Sequence, residues 1–401
     1  MKVFVVNCGS SSVKYQLFSM THENVMAKGL LERIGTPEAE LHHAADNRVF
    51  DLHVDAPDHT AAIETIIKTL LDSEMGVIDD IGEIQAVGHR VVHGGEDVTR
   101  SVRIDDEVID AIRRNIELAP LHNPPNLAGI EAGLSAMPDI PNVAVFDTAF
   151  FATLPPRAYR YAVPDEWYTT YHVRRYGFHG TSHRWVTLRA AEIFSKPVDK
   201  MNIITCHLGN GCSMTAVAGG KAIDHSMGMT PLEGLVMGTR SGDVDPAIVT
   251  YMVSHGMSVE QVDRELNKKS GLLGLSKLSN DMRDLLVARD EGDKAAELAV
   301  DVFVYRLVKY IGAYSMLLPE LDAIVLTGGI GENSVPVRSM LCKSLGRLGV
   351  VGDEDRNQKT IRGVAGPISA DNSQLPVWVI PTNEELMIAR DARAIAAGEQ
   401  A

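Results

Sequence analysis

The sequence predicts an α/β fold built from two related domains, on three observations. The stretch VFVVNCGSSSVKYQLF, Val3 to Phe18, reads as an apolar strand, a tight polar turn and a second strand that alternates polar and apolar residues. Met201 to Val217 repeats that design, with a strand NIITC, a turn HLGNGCS and a second strand beginning MTAV, though the letters themselves match weakly. The length, 401 residues, exceeds what one hydrophobic core usually serves.

Composition narrows the class. Hydrophobic residues make up 45% and charged residues 23%, an ordinary globular balance. The formal charge of -15, from 38 basic and 53 acidic residues, argues against a dedicated nucleic-acid binder while leaving small anionic ligands open. Cys8, Cys206, Cys212 and Cys342 are too scattered for a disulfide framework, and none forms a Cys-x-x-Cys pair. No apolar run reaches membrane-spanning length and the start MKVFVVNCGSSS is not a signal peptide, so a cytoplasmic protein without a membrane partner is expected.

Along the chain, VMAKGLLERIG and NRVFDLHV read as further strands. His59 to Leu71 places Ile63, Ile66, Ile67, Leu70 and Leu71 on one helical face. IQAVGHRVVHGG reads as a strand broken at Gly88, Asp105 to Leu118 as a capped helix, and Val143 to Phe150 as a buried strand with Asp147 near its end. The proline-rich LPPRAYRYAVP marks a domain boundary, which predicts a first domain of residues 1–150 and a second of 151–382. A helix follows from about Thr181 to Phe194. Ser258 and Gln261 fit a capping box, and Lys294 to Leu318 a long helix with a break at Gly312. LDAIVLTGGIGEN reads as strand, glycine turn and helix start after Asn333. After the strand Leu375–Ile380 comes a helix with Thr382 as N-cap and Glu385 as its N3 partner.

Three glycine-bearing turns thus follow apolar strands: Asn7–Ser12, His207–Ser213 and Thr327–Asn333. Backbone N–H groups in such turns can hold phosphate oxygens, and Lys14 adds a cation beside the first. One such turn alone is more often structural, whereas three converging strand-end loops suit a ligand. Neither the dinucleotide fingerprint nor the P-loop motif is present.

The blocks NCGSSSVK (Asn7–Lys14), GHRVVHGG (Gly88–Gly95), APLHNPPNL (Ala119–Leu127), VFDTAF (Val145–Phe150), RRYGFHGTSH (Arg174–His183), HLGNG (His207–Gly211), SMGMTPLEGLVMGTRSGDVDP (Ser226–Pro246), TGGIGEN (Thr327–Asn333) and PTNEE (Pro381–Glu385) resemble the acetate kinase family, in family order over nearly the whole chain. The resemblance implies two duplicated ribonuclease-H-like domains of the acetate and sugar kinase, heat-shock ATPase and actin superfamily. ATP would lie in a central cleft that closes on it, and the final helix, 383–401, would complete the first domain. It implies reversible transfer of the ATP γ-phosphoryl group to acetate, giving ADP and acetyl phosphate, with Mg²⁺ (or Mn²⁺) and a homodimer formed through the second domain.

The resemblance also places roles. Asn7 and Glu384 match the metal-associated positions, and a metal there would offset phosphoryl charge. Ser10, Ser12 and Lys14, the loop His207, Leu208, Gly209, Asn210 and Gly211, the segment Asp281, Met282 and Arg283, and the loop Gly329, Ile330, Gly331, Glu332 and Asn333 match nucleotide contacts. Arg90 and Arg240 match substrate-side arginines, suited to a carboxylate and a phosphoryl group. Asp147 matches an essential position; acetate is already deprotonated, so orientation of an arginine or of the metal shell is the role expected here. His179 matches a transition-state-stabilising histidine, and His122 a further active-site one. Val92, Leu121, Phe178 and Pro231 would line a methyl-sized socket. Relatives that favour propionate carry a smaller residue at the position of Val92, which favours acetate. Propionate transfer is the alternative, with butyrate ranked lower and a non-catalytic nucleotide-gated module more remote still.

Overall fold

The computed structural model describes residues 1–400, and statements about elements refer to these. The chain divides into two compact units, Met1–Ala152 with the residues from Asn383 on, and Thr153–Thr382.

The first unit is built on an eight-stranded sheet of order β5-β4-β3-β2-β1-β6-β8-β7. Its strands are β1 (Lys2–Cys8), β2 (Ser12–Ser19), β3 (Asn24–Glu32), β4 (Glu40–Ala45), β5 (Arg48–His53), β6 (Ile84–Val91), β7 (Val102–Arg103) and β8 (Asn142–Phe146). β1 to β5 form an antiparallel meander, while β6 and β8 run parallel to β1. The run Val3–Val6 is buried on both faces, as the parallel centre of a covered sheet requires. On one face Phe4, Val6, Tyr15, Leu17 and Leu31 pack against Ile63, Ile66 and Leu70 of the helix His59–Leu70. The helix Asn123–Ala136 covers the same region and the C-terminal helix Glu384–Ala396 packs on β6, β8 and β1.

Several local expectations are corrected here. The strand β4 was not anticipated, because its alternation pairs Leu41 and Ala45 with the buried polar His43, held by Tyr15. Gly88 does not break β6. A Cβ there would stand 2.7 Å from Cγ2 of Ile388, so glycine is where the C-terminal helix reaches the sheet. β8 stops at Phe146, and Asp147 is the first residue beyond it. The C-terminal helix is capped by Asn383, whose side chain accepts from the Leu386 N–H. Thr382 is not its cap, because the Thr382 hydroxyl pairs with Ser182 and its N–H donates to Glu332.

The second unit carries a six-stranded sheet of order β11-β10-β9-β12-β14-β13. These are β9 (Asn202–Leu208), β10 (Cys212–Ala218), β11 (Lys221–His225), β12 (Ala323–Thr327), β13 (Gly366–Pro367) and β14 (Val377–Val379). β9 and β10 pair antiparallel, and β12 and β14 run parallel to β9. The arrangement β11-β10-β9-β12-β14 thus repeats β3-β2-β1-β6-β8, and β9 has the burial pattern of β1, residue for residue. The helix Lys294–Ser315 runs unbroken through Gly312, at which a Cβ would meet nothing within 4 Å. The glycine stretch after β12 is itself a helical turn, Gly328–Asn333, entered through Gly328 at φ +76°, so the helix begins before Asn333 rather than after it. The capping box at Ser258 and Gln261 forms as read.

Gly88→Ala is expected to destabilise the first unit by about 1–3 kcal/mol through overpacking against Ile388. A urea midpoint indistinguishable from the parent's at equal slope would show that the helix yields to the added methyl, and would contradict this account.

Candidate active site

In the first unit the functional side chains collect where β1, β6 and β8 end. Arg90, on β6, makes a two-pronged contact with Asp147: NH2 lies 2.5 Å from Oδ2 and Nε 3.2 Å from Oδ1. Its NH1 reaches Oδ1 of Asn7, on β1, at 3.4 Å. Asp147 is 1% exposed, so a carboxylate in that place needs its fork of donors. Burial works against the Arg90 cation, and Asp147, Glu384 and Glu385 outweigh it, holding the group charged. Lys14 pairs across the hairpin with Asn7 and forms an ion pair with Glu385, which the sequence marks only as a capping residue. The hairpin tip carries Ser10 and Ser12, and His59 contacts the Gly9 carbonyl oxygen at 2.8 Å. Asn126 ties the two strand ends together: Oδ1 accepts from the Val92 N–H and Nδ2 donates to the Cys8 carbonyl. Val92 is buried, whereas Leu121 and His122 are exposed at the start of the helix Asn123–Ala136.

Glu384 opens the C-terminal helix beside this pair. Its carboxyl is pushed up to about 7, first by burial; Arg90 and Lys14 oppose that rise, and Asp147 and Glu385 add to it. Asn7, Glu384 and Asp147 are hard oxygen donors, and the carboxylates of Asp147, Glu384 and Glu385 gather beside Arg90 and Lys14. Donor type and net negative charge both fit a Mg²⁺ ion. Among the described residues, Glu32, Glu40 and His42 form a separate trio that could hold a cation, their ligand atoms within 4.8 Å of one another. Strand register places His42 two strands from Lys14. Arg33 lies 3.7 Å from Glu40 and Asp51 2.5 Å from His42, and an imidazole suits transition metals better than Mg²⁺.

In the second unit the turn between β9 and β10 is the centre. A Cβ on Gly211 would stand 2.5 Å from NH2 of Arg240 and 3.4 Å from Nε2 of His179, so the guanidinium and the imidazole meet over that glycine. Arg240 NH1 donates to the Pro231 carbonyl at 2.7 Å. The rings of His179 and His207 stack with centroids 4.4 Å apart, and His207 contacts Ser182. Phe178, just before His179, is buried.

Beside this turn lies a cleft of about 540 Å³ lined by Gly209, Asn210, Asp281, Met282, Arg283, Gly329, Ile330 and Asn333, all expected from sequence. Asn280, Leu286, Ser334 and Pro336 line it too; they carried no motif of their own. Asp281 caps its helix and grips Arg283, whose side chain is 89% exposed. Glu332 faces inward, its Oε1 accepting from the N–H groups of Gly328 and Thr382. The buried Arg338, unremarked in the sequence, donates to the carbonyls of Gly331 and Glu332 and anchors the loop from behind.

The raised Glu384 carboxyl gives a pH signature. Between its ordinary value of 4.5 and about 7 the folded chain binds more protons than the unfolded one, so this group makes stability fall as pH rises through that window. Glu384→Gln is expected to remove the effect, gaining about 1–2 kcal/mol on the parent from pH ~4.5 to ~7.5 after allowance for partial solvent access. Urea unfolding of both proteins across that range measures it. A constant difference between them would mean that Glu384 is not perturbed.

A model of the acetokinase family matches residues 2–390. Acetate kinases of Pseudothermotoga lettingae and Thermotoga maritima are each 53% identical to the chain, over 98% of it and over 97% and 98% of their own lengths. The crystal structure of Porphyromonas gingivalis acetate kinase superposes with a TM-score of 0.94 at 47% identity, covering 98% of this chain and 99% of that one. A propionate kinase from Francisella tularensis superposes with a TM-score of 0.91 at 41% identity over the same shares. On the family match, the identities and the geometry at the strand ends together, the chain belongs to the acetokinase family.

Proposed function

We propose that this chain catalyses reversible transfer of the ATP γ-phosphoryl group to acetate, giving ADP and acetyl phosphate by direct in-line displacement. The observation that carries the reading is the cationic equipment at the strand ends. Arg90 is held by a buried carboxylate and Arg240 is held beside an imidazole over a glycine turn. Arg90 would bind the acetate carboxylate and Arg240 and His179 would meet the charge that develops on the transferring oxygens. Asp147 orients Arg90; acetate needs no base near neutral pH. Asn7 and Glu384 would hold Mg²⁺, which would supply positive charge against the phosphoryl group.

The cleft at Asp281–Arg283 and Gly329–Asn333 suits adenosine, with apolar walls from Met282, Leu286 and Ile330. The buried Val92, which would close a methyl-sized socket, and the 53% identity to the Pseudothermotoga lettingae acetate kinase against 41% to the propionate kinase support acetate. Among the described residues no helix is long and apolar enough to cross a membrane. The four cysteines are buried and free, which suits a reducing cytoplasm.

ATP-dependent hydroxamate formation with acetate, propionate and butyrate is the direct test. The parent should prefer acetate. Arg90→Ala and Arg240→Ala should each lose roughly 10²–10³ in turnover with the fold intact by circular dichroism. Turnover within tenfold of the parent in either variant would remove that arginine from the mechanism. Nucleotide binding with no transfer to any of the three acids would favour the non-catalytic alternative.

A homodimer through the second unit is part of the same proposal. The helix Ala247–Ser254 (AIVTYMVS) is apolar yet has no buried residue, and Tyr251, Tyr305, Met316 and Leu317 are exposed in that unit. Sedimentation velocity at micromolar concentration should show a dimer; a monomer there contradicts it.

A further inference from the structure

We propose that Ser213 and His183 are positioning residues that set the tautomer of His179, so that its neutral ring presents Nε2–H to an anionic oxygen. This rests on the reading of His179 as a donor to the transferring phosphoryl group.

The geometry is a chain of buried groups. Ser213 Oγ lies 2.9 Å from Nδ1 of His179 and 2.8 Å from Nε2 of His183. Nδ1 of His183 lies 2.7 Å from Oγ1 of Thr205. Ser213, His183 and Thr205 have no exposed surface at all. Burial holds the His183 imidazole well below its ordinary range, with His207 adding to the effect, so the ring is neutral and carries one N–H. A hydroxyl has one proton to give. Set between two imidazole nitrogens, Ser213 can donate to only one of them, while its two lone pairs can accept from either or both.

Two patterns use the Ser213 proton within this chain of groups. In the first, His183 Nε2–H donates to Ser213, Thr205 donates to His183 Nδ1, and Ser213 donates to Nδ1 of His179. The single proton of His179 is then on Nε2. In the second every donor is reversed, and His179 turns a lone pair outward at Nε2, as it does also when both imidazoles donate to Ser213. Nε2 is the nitrogen that stands with Arg240 over Gly211. A lone pair there repels an anionic oxygen and an N–H attracts it, so a bound phosphoryl group selects the first pattern. The protons shift within hydrogen bonds already formed, and no heavy atom has to move.

A neighbouring imidazole steadies the same residue from its other side. The Phe178 N–H donates to Nε2 of His225 at 3.1 Å, so the proton of His225 is on Nδ1, where it donates to Thr215 Oγ1 at 2.9 Å. This anchors the residue just before His179, whose own backbone is left-handed at φ +59°. That conformation is costly for a residue with a Cβ and persists only where its surroundings hold it.

The test is Ser213→Ala, which deletes one oxygen, with His183→Gln as a second variant. Turnover should fall about 10- to 100-fold while KM for ATP and for acetate stays within about twofold. In chains labelled with ¹⁵N-histidine and bound to Mg²⁺ and a non-hydrolysable ATP analogue, long-range ¹H–¹⁵N spectra should show His179 as Nε2–H in the parent. In Ser213→Ala they should show mixed tautomers. Parent-like turnover in Ser213→Ala, an unchanged His179 tautomer, or a loss that raises both KM values and lowers the unfolding midpoint would each overturn the relay. A parent with the stated tautomers that transfers nothing to acetate supports the relay and overturns the proposed reaction instead.

Discussion

The first unit depends on one constraint: a guanidinium placed on a central strand must have its counter-charge at the same strand end. Arg90 sits on β6, flanked by β1 and β8, where burial works against any cation. Asp147 meets it as the first residue past β8, and Asn7 as the penultimate residue of β1. Three adjacent strands therefore have to end in register for the contact to exist. Gly88 serves that end indirectly. By letting the C-terminal helix lie close on β6, it brings Glu384, the first residue of that helix, to the same place. A lysine could supply the charge of Arg90 but not the two-pronged contact with Asp147.

The duplicated framework is used with different chemistry in its two copies. β1 and β9 share a burial pattern, and each is followed by a glycine turn. At corresponding places the first unit has Asn7, paired in register with Lys14, and the second has His207, paired with Ser213. Around its strand ends the first unit gathers full charges and hard oxygen donors. Around the β9–β10 turn the second gathers Arg240 and a group of imidazoles, two of which burial keeps neutral. The fold repeats because strand burial is repeated; the chemistry differs because the half-exposed positions at strand ends are free of that requirement.

Legibility followed the same division. Buried strands and the three glycine turns could be read because apolar runs and turn residues act locally. Gly88 was misread because a glycine inside a strand signals either a break or a close approach, and only Ile388, 300 residues later in the chain, decides which. Thr382 and Asn383 are both good caps. Thr382 lost the role because Ser182 and Glu332, far off in sequence, engage it. The helix Asn123–Ala136 passed unnoticed because it is buried around much of its circumference and has no clear apolar stripe. Most residues assigned from family resemblance lie at strand ends or in the cleft. Asn126 and Ser213 act through partners distant in the chain, so local pattern could not mark them.

Burial that keeps imidazoles neutral also bears on how the second unit tolerates so many of them. His179, His183, His207 and His225 lie within one small region, with ring centroids 4.4 to 6.3 Å apart between neighbours. Four imidazolium ions at that spacing would repel strongly in a poorly hydrated interior. Burial keeps His183 and His225 neutral, which limits that repulsion and leaves each a donor and an acceptor, provided that each faces a group able to complement it. Ser182, Thr205, Ser213 and Thr215 supply those groups, and a hydroxyl is suited to the task because it can face either a donor or an acceptor. An amide or a carboxylate in their place would fix the direction of each hydrogen bond. With hydroxyls between them, either direction of each hydrogen bond is open to the rings.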